Sequence, residues 1–279
     1  MFRAGASEPG ATWRLDGPLA RRHRVHTVGS GPRALVFGHG LGTDQTAWHK
    51  VVRHLPADVT ALLFDLPGAG PLLPKGFDPD DYRSIAAFAD DMLDLFEEVG
   101  ISSCTYVGHS VAGMMGALAA IEAPDRFERL VLVNASPRYL NDGDYIGGFD
   151  RADVDGLLTT MAANYQAWVA GFAPSVVGGG LAQAVDEFSA GLLAMRPDVT
   201  LRIARTIFES DVRGLLPMLR VPTVLIHSRS DIAVPETVAR HLHDHIAGSE
   251  LVWIDADGHL PHLSAPGLVA AALRDVLNA

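Results

Sequence analysis

The sequence predicts an α/β protein in which helices cover both faces of a mostly parallel β-sheet. Short β-favouring runs alternate with helical segments, and strands connected by helices form parallel sheets that are buried on both faces. Turns rich in glycine or proline directly follow several of the β-favouring runs. A purely helical stretch then interrupts the alternation at residues 137–211.

The alternation of strands and helices can be followed along the chain. An alternating pattern predicts an edge strand at residues 22–28, and apolar runs predict buried strands. A helical stripe of apolar residues begins at Ser84 and is closed by Gly100. The buried strands are predicted at residues 34–37, 59–64, 105–107, 130–133, 223–227 and 250–254, and the core helices at residues 84–99, 111–122, 235–246 and from 266.

We expect one domain, which consists of a core and a cap. A loose leader is predicted at residues 1–20, the core at residues 21–136 and 212–279, and the cap at residues 137–211. Four helical patches are predicted in the cap, at residues 151–163, 165–172, 181–195 and 198–209. A helical insertion of this kind covers the carboxyl ends of the strands, where ligands bind in open α/β sheets.

Composition excludes several classes of protein. The 279 residues carry a net charge of −11, which argues against nucleic acid and anionic membranes as partners because both bind basic surfaces. Cys104 is the only cysteine, so no internal disulfide can form. The sequence shows neither a secretory signal nor an apolar run long enough to cross a bilayer. We therefore expect a soluble protein of the cytoplasm.

The predicted chemistry is centred on Ser110, within the sequence Gly108-His109-Ser110-Val111-Ala112. A β-favouring run meets this Gly-x-Ser sequence and turns at once into a helix of small and apolar residues. Such a strand-to-helix turn, a nucleophile elbow, exposes the serine hydroxyl and needs small neighbours. Gly108 is expected to supply the backbone freedom for the turn. An ordinary Gly-Ser turn is the alternative interpretation.

A base and an acid that could activate Ser110 follow two later strands. A serine hydroxyl is a weak nucleophile unless a base removes its proton and a third group orients that base. Asp231 and His259 each follow a predicted strand, so both should lie at the edge of the sheet that carries Ser110. Asp257 is the alternative acid, but it is only two residues from His259 and is better placed to shape that loop.

The oxyanion donors and the other histidines complete the expected site. The N–H groups of Leu41 and Val111 are the expected donors, from the loop after an early strand and from the residue after the nucleophile. His39 is expected to be structural and His109 to line the pocket. Three histidines on one helix lack a nearby carboxylate or cysteine pattern and indicate solvated side chains rather than a metal site. These three are His241, His243 and His245. The expected chemistry requires neither a metal nor a cofactor.

These residues and their surroundings resemble the α/β-hydrolase superfamily. More narrowly, the chain resembles the strigolactone and karrikin receptor hydrolases of plants and their bacterial stress-signalling relative, a sigma-factor regulatory protein, with the strigolactone-receptor branch nearest. The matching segments are HGLGTDQTAW, FDLPGAG, YVGHSVAGMMG, ASPRYLNDGDYIGGF, NYQAWVAGFAPSVVGG, MRPDVTLRIARTIFESD, DIAVP and DGHLPHLS. The resemblance implies a core under a V-shaped cap of four helices, with a deep apolar pocket between them.

The resemblance also assigns residues to the site. Ser110, Asp231 and His259 match the triad of the family, and Leu41 and Val111 match its oxyanion donors. Packing in the cap core is an equal alternative for the positions that match pocket-lining residues. These positions are Tyr139, Trp168, Phe172, Ile207 and Phe208. Leu41 stands where the family usually has phenylalanine, and the smaller leucine side chain would widen the pocket mouth. The composition looks bacterial rather than plant-like.

We interpret the chain as a serine esterase or lactonase that acts through an acyl-enzyme. Its expected substrate is a small apolar ester or lactone, with a strigolactone-type butenolide as the candidate. The alternative is a ligand-sensing signalling protein with slow incidental hydrolysis, whose protein partner docks on the cap. A carbon–carbon bond hydrolase with the same triad is a third hypothesis. The resemblance implies a monomer.

Overall fold

A seven-stranded sheet forms the centre of the molecule in a computed structural model, which describes residues 13–71, 73, 77–178 and 181–278. The strands are β1 (His26–Gly29), β2 (Arg33–Gly38), β3 (Val59–Leu63), β4 (Cys104–His109), β5 (Phe127–Val133), β6 (Thr223–Ser230) and β7 (Glu250–Asp257). They lie in the order β1-β3-β2-β4-β5-β6-β7. Strand β1 pairs antiparallel with β3, and all the other pairs are parallel. The prediction of a mostly parallel sheet is confirmed.

Eleven α-helices are present in the described part of the chain. They are α1 (Pro18–Arg22), α2 (His49–Val52), α3 (Ile85–Val99), α4 (Val111–Glu122), α5 (Arg151–Ala163), α6 (Tyr165–Val177), α7 (Ala182–Ala194), α8 (Pro197–Phe208), α9 (Glu236–His245), α10 (Pro261–Ser264) and α11 (Pro266–Asn278). Helices α5 to α8 come between β5 and β6, where the sequence predicts the cap. None of the described helices has both the length and the apolar character needed to cross a bilayer.

Two hydrophobic clusters cover the two faces of the sheet. Side chains alternate along a strand, so two adjacent residues of β3 enter different clusters. Leu62 packs in the cluster that includes α3, α4 and the cap helices, and Leu63 packs in the cluster that includes α2 and α11. Both side chains are fully buried. Burial on both faces explains the near-continuous apolar runs and makes the sheet a firm support for the loops at its carboxyl edge.

Helix α6 is longer than its sequence pattern indicates. The pattern predicts residues 165–172, and Pro174 favours an end there because proline cannot donate the helical hydrogen bond. The structure continues the helix through Pro174 to Val177, because Ala173, Val176 and Val177 are buried in the core cluster. This extension brings the end of α6 against the loop that follows β7.

The second part of the predicted leader, residues 13–20, contacts the core. Residues 1–12 lie outside the described residues, but residues 13–20 do not form a loose segment. The Arg14 N–H donates to the Val99 carbonyl at 2.9 Å, and the Ala20 N–H donates to Glu98 Oε1 at 2.8 Å. Ala20 is buried, and Trp13 packs against the core. The prediction is therefore wrong for residues 13–20. A segment rich in Gly, Ala and Pro has no periodic pattern, so the few side chains that pack against the core could not be recognised from the sequence.

Candidate active site

Ser110 occupies a strained position between β4 and α4. Its backbone angles are φ 56° and ψ −126°, a conformation that residues other than glycine adopt rarely. This conformation turns the Ser110 hydroxyl away from the sheet. A Cβ on Gly108 would lie 2.6 Å from the Ala112 carbonyl oxygen, so only glycine fits there. The sequence assigned the turn's backbone freedom to Gly108. The structure instead places the positive φ on Ser110 and requires Gly108 for the close approach of strand and helix.

Three predicted residues from separate loops form one hydrogen-bonded chain. Ser110 Oγ lies 2.8 Å from His259 Nε2, and His259 Nδ1 lies 2.8 Å from Asp231 Oδ2. With a neutral imidazole, Nδ1–H donates to the carboxylate and Nε2 accepts the serine proton. The alternative acid, Asp257, is exposed at the end of β7. The geometry therefore connects His259 to Asp231.

The Asp231 carboxylate is fixed on both of its oxygens. Oδ1 accepts the N–H groups of Ala233 at 2.8 Å and Val234 at 3.0 Å. Oδ2 accepts an N–H of the Asn134 amide at 2.9 Å in addition to the His259 imidazole. Because four donors converge on it, the carboxylate can hold the imidazole in one orientation without rotating.

Asn134 is a site residue that the sequence reasoning missed. It is fully buried with φ 45°, and its Nδ2 lies 3.0 Å from Ser228 Oγ and 3.2 Å from the Gly258 carbonyl oxygen. Its Oδ1 accepts the Ser228 N–H at 3.0 Å. The residue thus links the loops that carry Asp231 and His259. A signal was present, because Asn134 directly follows a buried strand, as the two predicted partners of Ser110 do.

The cap contacts the His259 loop through its backbone. The His259 N–H donates to the Val176 carbonyl in the last turn of α6, at 2.6 Å. A Cβ on Gly258, which has φ 84°, would lie 1.9 Å from the Val177 carbonyl oxygen. The position of the imidazole is therefore coupled to the end of a cap helix as well as to the core.

His109 binds the backbone of His259 through a hydrogen bond. An Nε2–H on His109 donates to the His259 carbonyl at 2.7 Å. Burial, together with the nearby imidazoles of His262 and His259, holds the pKa of His109 well below its usual value. A neutral ring is consistent with this single donated hydrogen bond. His109 also borders the cavity above Ser110, which is the position that the sequence predicts.

Tyr139 contacts the nucleophile directly. Its Oη lies 3.0 Å from Ser110 Oγ, on a buried side chain. Burial raises the pKa of the Tyr139 hydroxyl, so that hydroxyl keeps its proton. Because the Ser110 proton points to His259, the Tyr139 O–H is the donor in this pair. The sequence predicted a pocket-lining side chain and did not predict this hydrogen bond.

The cavity above Ser110 lies between the core and the cap. Its volume is about 40 Å³, and most of its walls are apolar. Four of the five cap positions assigned by resemblance line it, namely Tyr139, Phe172, Ile207 and Phe208. Trp168 does not. Its ring stacks on Phe172 with ring centroids 4.8 Å apart and is buried, an arrangement that favours the alternative of packing in the cap core.

One expected oxyanion donor belongs to the elbow and the other to a neighbouring loop. Val111 is the first residue of α4, so its N–H has no acceptor within the helix. For the Leu41 N–H, no backbone acceptor is present among the described residues. A Cβ on Gly40 would lie 3.2 Å from Ser110 Cβ, so this loop runs directly against the elbow. Both N–H groups are thus available to a negatively charged oxygen near Ser110.

His39 braces the loop that carries Leu41. Its Nδ1–H donates to the Gly40 carbonyl at 2.9 Å, and its Nε2 accepts the Leu66 N–H at 2.9 Å. Burial lowers the pKa of His39, which keeps the ring neutral, as this donor–acceptor pair requires. The residue has the structural role that the sequence indicates.

The three histidines of α9 do not converge on one point. His241 and His245 stack with ring centroids 3.9 Å apart, whereas His243 Nδ1 lies 3.1 Å from Ser249 Oγ. Within residues 13–71, 73, 77–178 and 181–278, no group of three or more His, Cys, Asp or Glu side chains is arranged to hold a metal ion.

Similarity to known proteins extends over most of the chain. A model of the alpha/beta hydrolase family matches residues 35–272. A probable esterase of Oryza sativa subsp. japonica is 47% identical over 92% of this chain and 96% of its own length. For the strigolactone esterase of Pisum sativum these values are 43%, 94% and 98%, and for karrikin insensitive 2 receptor CA of Petunia hybrida they are 45%, 92% and 96%. The structure of a hydrolase from Oleispira antarctica has a TM-score of 0.90 and 27% identity, covering 94% of this chain and 96% of that chain.

Proposed function

The chain belongs to the alpha/beta hydrolase family, and we propose that it is a serine hydrolase that cleaves a small apolar ester or lactone. The observation that carries this proposal is the hydrogen-bonded chain from Ser110 through His259 to Asp231, which lies under an apolar cavity. Such a chain activates a serine for attack on a carbonyl carbon.

The proposed reaction proceeds in two acyl-transfer steps. Ser110 Oγ forms a bond to the substrate carbonyl carbon while its proton passes to His259 Nε2, and Asp231 stabilises the resulting imidazolium. The N–H groups of Leu41 and Val111 hold the oxyanion. The bond between the carbonyl carbon and the alkoxy oxygen then breaks, and His259 returns the proton to that oxygen. Water, deprotonated by His259, then attacks the acyl carbon, the bond to Ser110 Oγ breaks, and His259 returns the proton to Oγ as the acid leaves.

The proposed substrate class is an apolar ester or lactone, with a butenolide of strigolactone type as the specific candidate. Relatives named as strigolactone esterases and the apolar walls of the cavity support this choice. The cavity volume of about 40 Å³ leaves room for only a few water molecules, since each needs roughly 10–15 Å³. A ligand with a ring must therefore displace side chains of the cap, such as Phe172 and Phe188, to reach Ser110.

The direct test is the hydrolysis of a chromogenic short-chain ester by a Ser110→Ala variant. We expect kcat to fall at least about 10⁴-fold, because the group that forms the acyl-enzyme is absent. The matched control is Ser175→Ala, a serine on the exposed face of α6, which should leave kcat unchanged. Far-UV circular dichroism should show the same helix content in both variants. Retained turnover in purified Ser110→Ala would remove this serine from the mechanism.

A second candidate function is ligand sensing, which one similar protein suggests by its name, karrikin insensitive 2 receptor CA. The hydrogen bond from the His259 N–H to the end of α6 gives a route by which an acyl group at the site could move the cap. In this hypothesis the chain is a cytoplasmic monomer and a protein partner docks on the cap. Many turnovers per second would favour the enzyme, and ligand-dependent capture of one partner with few turnovers would favour the sensor.

A further inference from the structure

A second apolar cavity lies beside the loop that carries Leu41. Its volume is about 20 Å³, and Leu41 and Ile207 line both this cavity and the one above Ser110. These two side chains therefore form the partition between them. The far walls of the second cavity are Leu66, Pro67, Ala69, Phe88, Met115 and Met195.

The two cavities border different groups of the expected catalytic machinery. The first contains Ser110 and His259, whereas the second contains neither of them but is bordered by Val111 and Leu41. During the proposed reaction the leaving oxygen must lie near His259, which protonates it. The acyl substituent projects from the opposite side of the carbonyl carbon. A cavity next to the expected oxyanion donors and without contact to His259 is therefore better placed for the acyl substituent than for the leaving group.

We propose that this second cavity is an acyl-chain subsite, which accepts a short unbranched alkyl substituent of the substrate once Leu41 and Ile207 move apart. The inference rests on the proposed serine-hydrolase function. It adds that the second cavity selects substrates by their acyl substituent. Alcohol groups of varied size remain in the first cavity.

The chemistry of the walls selects an apolar chain. The two polar side chains at this cavity are already engaged: His39 donates to the Gly40 carbonyl and accepts the Leu66 N–H, and Thr43 Oγ1 donates to the Gly40 carbonyl at 3.0 Å. A polar substituent would gain no partner there and would lose its hydration.

The walls can also adapt in size. A volume of about 20 Å³ corresponds to one or two water-sized groups, so the cavity has room for only one or two methylene groups once Leu41 and Ile207 have moved apart. Met115 and Met195 can enlarge it, because methionine has three rotatable bonds and fills irregular gaps. The subsite should therefore discriminate among acyl chains by length over a small range.

The test compares two series of chromogenic esters. In the first series the acyl chain lengthens from acetyl to butanoyl to hexanoyl on a constant alcohol, and in the second the alcohol lengthens on a constant acetyl group. Met195→Ala enlarges the cavity and should raise the hexanoyl-to-acetyl ratio of kcat/KM about tenfold, the lower value for a methylene group in an apolar pocket. Ala69→Leu fills the cavity and should lower that ratio by a similar factor.

The matched control is Phe149→Leu, which alters a residue that lines only the first cavity. It should change the alcohol series and leave the acyl series as in the wild type. Equal effects of Met195→Ala on both series, or no effect on either, overturn the subsite while the wild type still hydrolyses esters. A wild type that cleaves no ester and whose Ser110 resists a fluorophosphonate probe overturns the proposed function and the subsite together. Circular dichroism shows whether Ala69→Leu is folded. If Ala69→Leu does not fold, the result for Met195→Ala alone decides whether the subsite exists.

Discussion

At the scale of single residues, the Ser110 hydroxyl takes part in two hydrogen bonds, one as donor and one as acceptor. His259 Nε2 accepts its proton at 2.8 Å, and the Tyr139 O–H donates to it at 3.0 Å. The tyrosine therefore orients the nucleophile but also withdraws electron density from it. A neutral hydrogen bond of this kind contributes about 0.5–1.5 kcal/mol. Tyr139 is thus a positioning residue for the serine in the resting enzyme.

We predict that Tyr139→Phe lowers kcat by about three- to tenfold, because the serine hydroxyl samples more orientations. The pH dependence of kcat/KM should keep its shape, because the base remains His259. Steady-state kinetics on one ester across pH 5–9 provide the measurement. An unchanged or higher kcat would show that this hydrogen bond does not orient the nucleophile.

At the scale of secondary-structure elements, the end of α6 and the loop after β7 form one rigid joint. The Val176 carbonyl accepts the His259 N–H, and the Val177 carbonyl fills the space beside the Gly258 α-carbon. A side chain at position 258 would have to displace a backbone carbonyl. A backbone group cannot move aside as readily as the end of a flexible side chain. The joint therefore ties the histidine to the cap.

We predict that Gly258→Ala lowers both stability and kcat/KM, the latter at least tenfold, because its Cβ would lie 1.9 Å from the Val177 oxygen. The matched control is Gly143→Ala. Gly143 also has a positive φ, 58°, but has no atom within 4 Å of an added Cβ. That variant should cost only the roughly 1–2 kcal/mol of left-handed strain and keep its activity. Urea unfolding and ester kinetics on both variants test this, and equal activity losses would contradict it.

The elements that sequence patterns predict well are those with a strong local signal. The buried strands and α3 to α5 appear close to the predicted positions, because apolar periodicity and caps such as Ser84 act within one element. Patterns fail where tertiary packing decides. Pro174 did not end α6, since burial of the following residues outweighs one missing hydrogen bond.

The same distinction applies to the site. Ser110, Asp231 and His259 were predictable because each follows a strand at the same edge of the sheet. The neighbours of these residues were less accessible to sequence reasoning. Periodicity does not separate a cavity wall from a packed core, so for Trp168, which the resemblance matched to the pocket, both interpretations stayed open until the structure showed its ring stacked on Phe172. Asn134 joins two loops more than 90 residues away, and only strand order brings them together.

At the scale of the whole molecule, several imidazoles are buried in a neutral state. Burial lowers the pKa of His227 to about 4 and that of His262 to about 3. In the unfolded chain both groups titrate near the ordinary value of about 6.5. Below that pH the unfolded state binds protons that the folded state does not bind. The contribution of these histidines to the free energy of unfolding is therefore fully present above about pH 6.5 and decreases as the pH falls towards 4.

We predict that the free energy of unfolding falls between pH 6.5 and pH 5, by about 1.4 kcal/mol per pH unit for each such histidine. Urea denaturation at pH 7.5, 6.5, 5.8 and 5.0 measures this slope. His227→Phe removes one of the titrating groups and should give a shallower slope. An identical slope in this variant, or constant stability over the range, would contradict the assignment of His227 as a buried neutral residue.

The central claim is that the Ser110 hydroxyl becomes acylated with the help of His259. Incubation with a panel of small esters and butenolides, followed by acid quenching and peptide mass spectrometry, measures it directly. We predict a mass increase equal to the acyl group on the peptide that contains Ser110, and none in that peptide of a Ser110→Ala variant. Turnover of the substrate with the acyl group found on another residue, or on none in the quenched wild type under burst conditions, would contradict the account.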